Sequence, residues 1–103
     1  MDKLQSHLVE WSARHIKNRD LMLGQIKEIE ERENRILVKY KDKEQIYIVE
    51  PFLDNLNKIF EFKDYEFITL IAYNTRKNFE FVCENWDKLA NFKKHFQIIL
   101  SFL

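Results

Sequence analysis

The stretch that most constrains the fold is residues 65–73, YEFITLIAY, because both of its alternating faces are apolar. A half-exposed strand carries polar residues at every second position, so this pattern predicts a strand that is covered on both sides. Such a strand needs neighbouring strands along its edges and other elements over its faces. Residues 65–73 therefore predict a central strand around which the rest of the chain is arranged.

The region after this strand is predicted to contain a hairpin and a long final helix. Residues 74–78 are polar and predict a hairpin loop, and residues 79–84 alternate again, which predicts a second strand. Asn85 is a typical N-cap residue, and we expect it to begin a helix over the rest of the chain. That helix would carry one wide apolar arc, formed by Trp86, Leu89, Phe92, Phe96, Ile99, Leu100 and Leu103.

The region before the central strand is predicted to contain a helix, three strands and a short second helix. Asp2 is a plausible N-cap for an amphipathic helix that ends near residue 18. Strands are predicted at about 23–31, 35–41 and 45–50, and Pro51 suits the start of the short helix. The first strand has an alternative, because residues 21–33 are rich in helix formers. Gly24 and a turn at Asn34 favour a bulged strand.

These elements predict one α+β domain over residues 1–103. Its sheet is expected to have five strands, to be mainly antiparallel, and to carry helices mostly on one face. The predicted order is α, β, β, β, short α, β, β, α. This order of elements is similar to that of the type III secretion chaperones, which are homodimeric protein binders. The similarity implies dimerisation and, because no residue motif carries it, no site.

Composition excludes several classes of function. Lys plus Arg and Asp plus Glu number 17 each, so no overall basic field attracts nucleic acid or anionic lipid. Cys83 is the only cysteine, which excludes an internal disulfide or a thiolate zinc site within one chain and favours a reducing compartment. The sequence shows neither a signal peptide nor an apolar run of membrane-spanning length. We therefore expect a cytoplasmic protein that does not bind membranes.

The sequence contains no convincing catalytic, metal or cofactor site. Cys83 alternates with Phe79 and Phe81, which favours a buried small side chain over a nucleophile. A metal-dependent nuclease of the restriction-enzyme type would require a lysine two positions after the acid Glu44, where the chain has Ile46. His7 and Glu10 lie one turn apart but lack a third ligand. We expect no enzymatic activity, no metal and no cofactor.

His15 is the one histidine that the helical projection places at the centre of an apolar face. Leu8, Trp11 and Ile16 surround it on that face of the first helix. A buried imidazole needs only one good hydrogen bond, so a satisfied core or interface histidine is the preferred interpretation. The alternative is a functional role as a ligand or as a pH switch.

A local basic surface is the second functional hypothesis. Lys39 and Lys41 lie on the second predicted strand, and Arg76 and Lys77 lie in the predicted hairpin loop. Cations next to exposed tyrosines are typical of proteins that bind single-stranded nucleic acid. The acidic residues between these cations would weaken the attraction, so any affinity should be weak.

Ile98 and Phe102 carry the first functional hypothesis. They form an i,i+4 pair outside the apolar arc of the predicted last helix, where two exposed apolar residues need a cover. A second subunit or a continuation of the chain could provide that cover. We therefore expect a non-enzymatic protein–protein interaction module that forms a homodimer, with an accessory nucleic-acid-binding domain as the alternative.

Overall fold

The protein is a five-stranded α+β fold, as the sequence predicts. The computed structural model describes residues 3–21, 26–92 and 95–101. Within these residues, five strands form one sheet in the order β1-β2-β3-β4-β5. The elements are α1 Lys3–Leu21, β1 Ile26–Glu31, β2 Arg35–Tyr40, β3 Glu44–Val49, α2 Asn57–Phe60, β4 Phe67–Tyr73, α3 Arg76–Glu84, α4 Trp86–Ala90 and β5 His95–Ser101.

The sheet is mixed, and the prediction of a mainly antiparallel sheet is wrong. Strands β1, β2 and β3 form an antiparallel meander joined by short turns. Strand β4 is parallel to β3, and β5 is parallel to β4. Parallel neighbours need a crossover connection, usually helical. The segment containing α2 supplies the first crossover, and α3 with α4 supplies the second.

The segment Ile26–Glu31, for which the sequence allowed either a strand or a helix, is a strand. Residues Ile26–Glu31 pair with β2, and the register shifts between Ile26 and Glu28. This bulge explains why Ile26 and Ile29 pack on the same side of the sheet although they are three positions apart. Residues 26–31 are therefore a strand and not a helix, whereas Leu21 is the last residue of α1 and Gly24 lies outside the described residues.

Both faces of the sheet are covered. Helix α1 lies on one face, where its residues Leu8 and Ile16 join a buried cluster with Val38 and Tyr47. Residues from α2 and α4 lie in a second cluster on the opposite face, and Val82 of α3 packs against it. Three of the four helices in the described residues thus share one face, as predicted, but the longest helix covers the other.

Strand β4 confirms the prediction of a strand buried on both sides. Its residues 68–73 are all buried, and four of them belong to one or the other of the two clusters. The side chains of Ile68 and Leu70 lie on the sheet face that the shorter helices cover. Those of Ile71 and Tyr73 lie on the face that α1 covers. Both sides of β4 are buried because α1 covers one face of the sheet and the helices of the two crossovers cover the other.

The hairpin and second strand predicted over 74–84 are wrong, because this segment begins the second crossover and is helical. Thr75 is the N-cap of α3, and its hydroxyl accepts a hydrogen bond from the Asn78 N–H at 3.1 Å. The buried Asn78 amide also accepts from the Leu53 N–H and donates to the carbonyl oxygens of Pro51 and Tyr73. These bonds fix the start of α3 against the end of β4.

The long final helix is also wrong, because α4 ends at Ala90 and residues 95–101 form β5. Asn85 does not cap α4 through its side chain, and its amide donates instead to the Phe81 carbonyl oxygen. Strand β5 uses the edge of β4 that β3 leaves open. The observed order of elements therefore differs from the predicted one, and the similarity to type III secretion chaperones does not hold.

Asp2, the predicted cap of the first helix, lies outside the described residues. None of the described helices is both long enough and apolar enough to cross a membrane.

Candidate interaction surface

The outer edge of β5 is open. Strand β5 is the last strand of the sheet, and no strand of the described residues pairs with its outer side. Its sequence HFQIILS contains no Lys, Arg, Asp, Glu or Pro. Proteins commonly protect an edge strand from pairing with other chains by using charges, proline or a bulge. None of these devices is present in β5.

The opposite edge strand, β1, is protected. Its sequence IKEIEE carries four charged side chains, and its register contains a bulge. Glu31 pairs with Lys17 at 3.2 Å, and Glu28 pairs with Lys39 at 3.7 Å. Because the two edges of one sheet differ so strongly in charge, β5 is the edge that favours pairing with another strand.

An apolar groove lies beside β5, on the face covered by the shorter helices. Its volume is about 310 Å³. Phe79 of α3 and Trp86 of α4 line it, and each is 56% exposed although both are large apolar residues. The groove is completed by Val82, Leu89, Ala90, Phe96, Ile98 and Leu100.

A second, more polar cavity lies near the end of β5. Its volume is about 400 Å³, and Leu4 and Phe52 line it with Ser101. Leu4 is 47% exposed and Phe52 is 50% exposed, and the Phe52 ring lies 6.0 Å from the Tyr73 ring. The exposed large hydrophobic residues found in the described part of the chain all line one of these two cavities, and both cavities include residues of β5.

One of the two predicted interface residues lies in the apolar groove. Ile98 is half-buried and lines the groove, but as part of a strand and not of a helix. Phe102 lies outside the described residues. Phe79 and Trp86 were predicted to lie in the core, but both are exposed and line the groove. The spacing of Phe79, Val82, Trp86 and Leu89 is helical, and it was the signal that could have identified them.

The four predicted nucleic-acid-binding cations are not brought together. Lys39 and Lys41 lie at the end of β2 and in the turn before β3, which is the end of the sheet where β4 begins. Arg76 and Lys77 begin α3, directly after the other end of β4. Strand β4 has seven residues, so the two pairs of cations are separated by roughly 20 Å.

Each pair of cations also includes a residue engaged with a carboxylate. Lys39 pairs with Glu28 across the β1–β2 ladder at 3.7 Å. The Nε atom of Arg76 donates to Glu80 at 3.1 Å, one turn along α3. These contacts reduce the positive charge available to a phosphate backbone.

His15 is exposed, so its predicted burial at the centre of the α1 face is wrong. Its ring stacks on that of Trp11 at a centroid distance of 5.2 Å and an interplanar angle of 8°. Burial on α1 centres instead on Leu8, Ser12 and Ile16, which lie at the helical spacing of four. The buried face of α1 is thus rotated about the helix axis relative to the predicted face, which was centred on His15.

Cys83 is exposed on α3, so its predicted place in the core is also wrong. An alternating strand would have pointed Cys83 inwards with Phe79 and Phe81, but in a helix Phe79 and Cys83 share one side, which is exposed here, and Phe81 lies on another side. His7 and Glu10 are both exposed on α1.

A polar cavity at the end of the sheet where β4 begins does not form a recognisable metal site. Its volume is about 530 Å³, and its lining includes the carboxylates of Asp42, Glu44, Asp64 and Glu66. Lys43 also lines this cavity, and its ammonium lies 4.8 Å from the Phe67 ring centroid. No group of three or more potential ligands arranged to hold a metal occurs among the described residues. Ile46 stands at the position where a nuclease-like strand would have a lysine, and it is fully buried in the core.

A scan against protein-family models found no match for this chain, and searches of curated proteins and of solved structures found none either.

Proposed function

We propose that this chain is a non-enzymatic protein–protein interaction module that works as a homodimer, with the surface of α3, α4 and β5 as its interface. The observation that carries the proposal is the exposure of Phe79 and Trp86 next to an unprotected edge strand. Burial of apolar surface stabilises by about 25 cal/mol per Å². Two large side chains that are each more than half exposed therefore favour a partner that covers them.

The proposal extends to a cytoplasmic location. A cysteine that is both exposed and without a disulfide partner is most compatible with a reducing compartment. The nucleic-acid alternative has less support, because about 20 Å of strand separates its two pairs of cations.

The mass of the protein in solution tests this proposal. We expect light scattering on a sizing column to give twice the chain mass of 12.7 kDa. Trp86→Glu should reduce the mass to that of one chain, because a carboxylate in the groove would lose its hydration on association. Phe52→Glu is the matched control, since Phe52 is similarly exposed but lies outside the groove; this variant should remain dimeric.

A wild-type protein that is monomeric at about 100 μM, a concentration well above the micromolar dissociation constants of ordinary complexes, would contradict the proposal. Aggregation that a longer version of the chain cures would contradict it as well, because a continuation of the chain would then be the cover. Loss of the dimer in Phe52→Glu but not in Trp86→Glu would reject the α3, α4 and β5 surface.

A further inference from the structure

The backbone groups of β5 alternate between β4 and the open edge. The Ser101 carbonyl oxygen accepts a hydrogen bond from the Asn74 N–H at 2.6 Å, and Asn74 directly follows β4. Ser101 therefore directs its backbone groups towards β4. The N–H and C=O of one strand residue point to the same side, and that side alternates along the strand. Phe96, Ile98 and Leu100 consequently direct their N–H and C=O groups outwards.

From this alternation we infer that the partner is a second copy of the chain, joined by antiparallel pairing of β5 with β5 about a twofold axis at Ile98. Ile98 then lies opposite Ile98 of the partner subunit, and Phe96 lies opposite Leu100 of the partner subunit. Each of these pairs consists of residues with outward backbone groups, so each exchanges both hydrogen bonds. This inference rests on the proposed function, to which it adds the mode of association.

The favoured register is the one in which the largest number of outward N–H and C=O groups of β5 form hydrogen bonds with the partner strand. With the axis at Ile98, all three outward residues of β5 pair within the described strand. An axis at Gln97 would place Leu100 opposite residue 94, and an axis at Ile99 would place Phe96 opposite residue 102, and neither of these positions belongs to the described strand. Unpaired backbone groups at a buried interface cost free energy comparable to a lost hydrogen bond, so the pairing centred on Ile98 is favoured.

The side chains are compatible with this pairing. A twofold axis that generates antiparallel neighbours in one sheet is perpendicular to the sheet, so both grooves lie on the same face of the joined sheet. Phe96, Ile98 and Leu100 line the groove on that face, and they would form apolar cross-strand pairs with their counterparts. On the other face, Gln97 lies opposite Ile99 of the partner subunit. No carboxylate or ammonium meets another across the ladder, because β5 has none.

The lack of charged residues in β5 also favours a second β5 strand as its partner, rather than β1 or another charged strand. A strand that pairs with β5 must bring apolar side chains to the groove face. Strand β1 brings Lys27, Glu28, Glu30 and Glu31 and contains a bulge that interrupts a regular ladder. In an isologous contact through β5, the same strand forms the interface in both subunits. No open edge of β5 then remains, so the assembly is complete with two chains.

Disulfide trapping between subunits tests the register. In a Cys83→Ser background, Ile98→Cys should form an intermolecular disulfide under mild oxidation, because Cα atoms of a hydrogen-bonded antiparallel pair lie about 5.5 Å apart. Phe96→Cys is the matched control on the same strand and face. Position 96 and its copy would be offset by four residues, or about 14 Å, which is too far for a disulfide. Non-reducing electrophoresis should therefore show a covalent dimer for Ile98→Cys alone.

The outcomes separate this inference from the proposed function. A dimeric mass with a disulfide at 98 and not at 96 supports the register. A dimeric mass with a disulfide at 96, or at neither position, overturns the register but leaves the interaction module. A monomeric wild type overturns both.

A spin label provides a second test if Ile98→Cys fails to fold. Gln97 is exposed, and in the proposed register position 97 is offset from its copy by only two residues. A nitroxide on Gln97→Cys, in the same Cys83→Ser background, should show strong dipolar broadening that dilution with unlabelled protein removes. A spectrum without broadening in a dimeric sample would overturn the β5 pairing.

Discussion

Glu50 is a carboxylate whose environment opposes its charge. It directly follows β3, and its N–H donates to the Ile71 carbonyl oxygen at 2.9 Å. Its side chain is only 12% exposed, and the nearest ammonium, Lys58 Nζ, lies 3.9 Å away. Burial raises the pKa of Glu50, and the charge of Lys58 and a hydrogen bond from Asn34 oppose this effect without cancelling it.

This raised pKa predicts a specific pH dependence. The folded state holds a proton on Glu50 at pH values where the unfolded chain has lost it, so the free energy of unfolding falls as the pH rises from about 4.5 through the folded pKa. Glu50→Gln should therefore be more stable than the wild type in urea unfolding at pH 7, and the difference should shrink as the pH approaches 4. Glu10→Gln is the control, because Glu10 is exposed on α1 and is not among the charges that shift the pKa of Glu50. A Glu50→Gln variant that is less stable at pH 7 would show that the contact with Lys58 dominates.

At the scale of elements, buried apolar side chains hold α1 against the sheet. Leu8 is fully buried in the cluster between α1 and the sheet, whereas His15 is exposed on the same helix. Leu8→Ala should reduce the free energy of unfolding by roughly 2–5 kcal/mol, the range for a leucine truncated in a packed core. His15→Ala should change it by no more than about 0.5 kcal/mol. Urea unfolding of the two variants checks both values, and a larger effect for His15→Ala would contradict the observed orientation of α1.

The elements that the sequence predicted well are those whose pattern has one structural solution. The alternation in residues 65–73 has two apolar faces, and β4 is buried on both. The alternating pattern of 35–41 and 45–50 likewise corresponds to β2 and β3. Residues 79–84 and 95–101 have patterns that suit a helix and a strand equally, because apolar residues occur in them at both spacings. Their assignments were wrong for this reason.

At the scale of the whole molecule, dimerisation predicts a concentration-dependent stability. When the folded state associates and the unfolded state does not, mass action raises the unfolding temperature with protein concentration. The wild type should show this increase over a hundredfold range of concentration in differential scanning fluorimetry or calorimetry. Trp86→Glu should unfold at a temperature independent of concentration. The same concentration dependence in both proteins would show that Trp86 does not contribute to the interface.

Local patterns in the sequence were sufficient to predict the α+β class, the strand of residues 67–73 that is buried on both faces, and the three strands that form the antiparallel meander. These properties depend on local periodicity and residue type, which neighbouring positions reveal. The tertiary structure alone decided that β4 and β5 run parallel to their neighbours, because the direction of a strand depends on its crossover connection. It also decided that Phe79 and Trp86 are exposed beside an open edge. Exposure of an apolar side chain depends on what packs over it, and residues distant in the chain supply that cover.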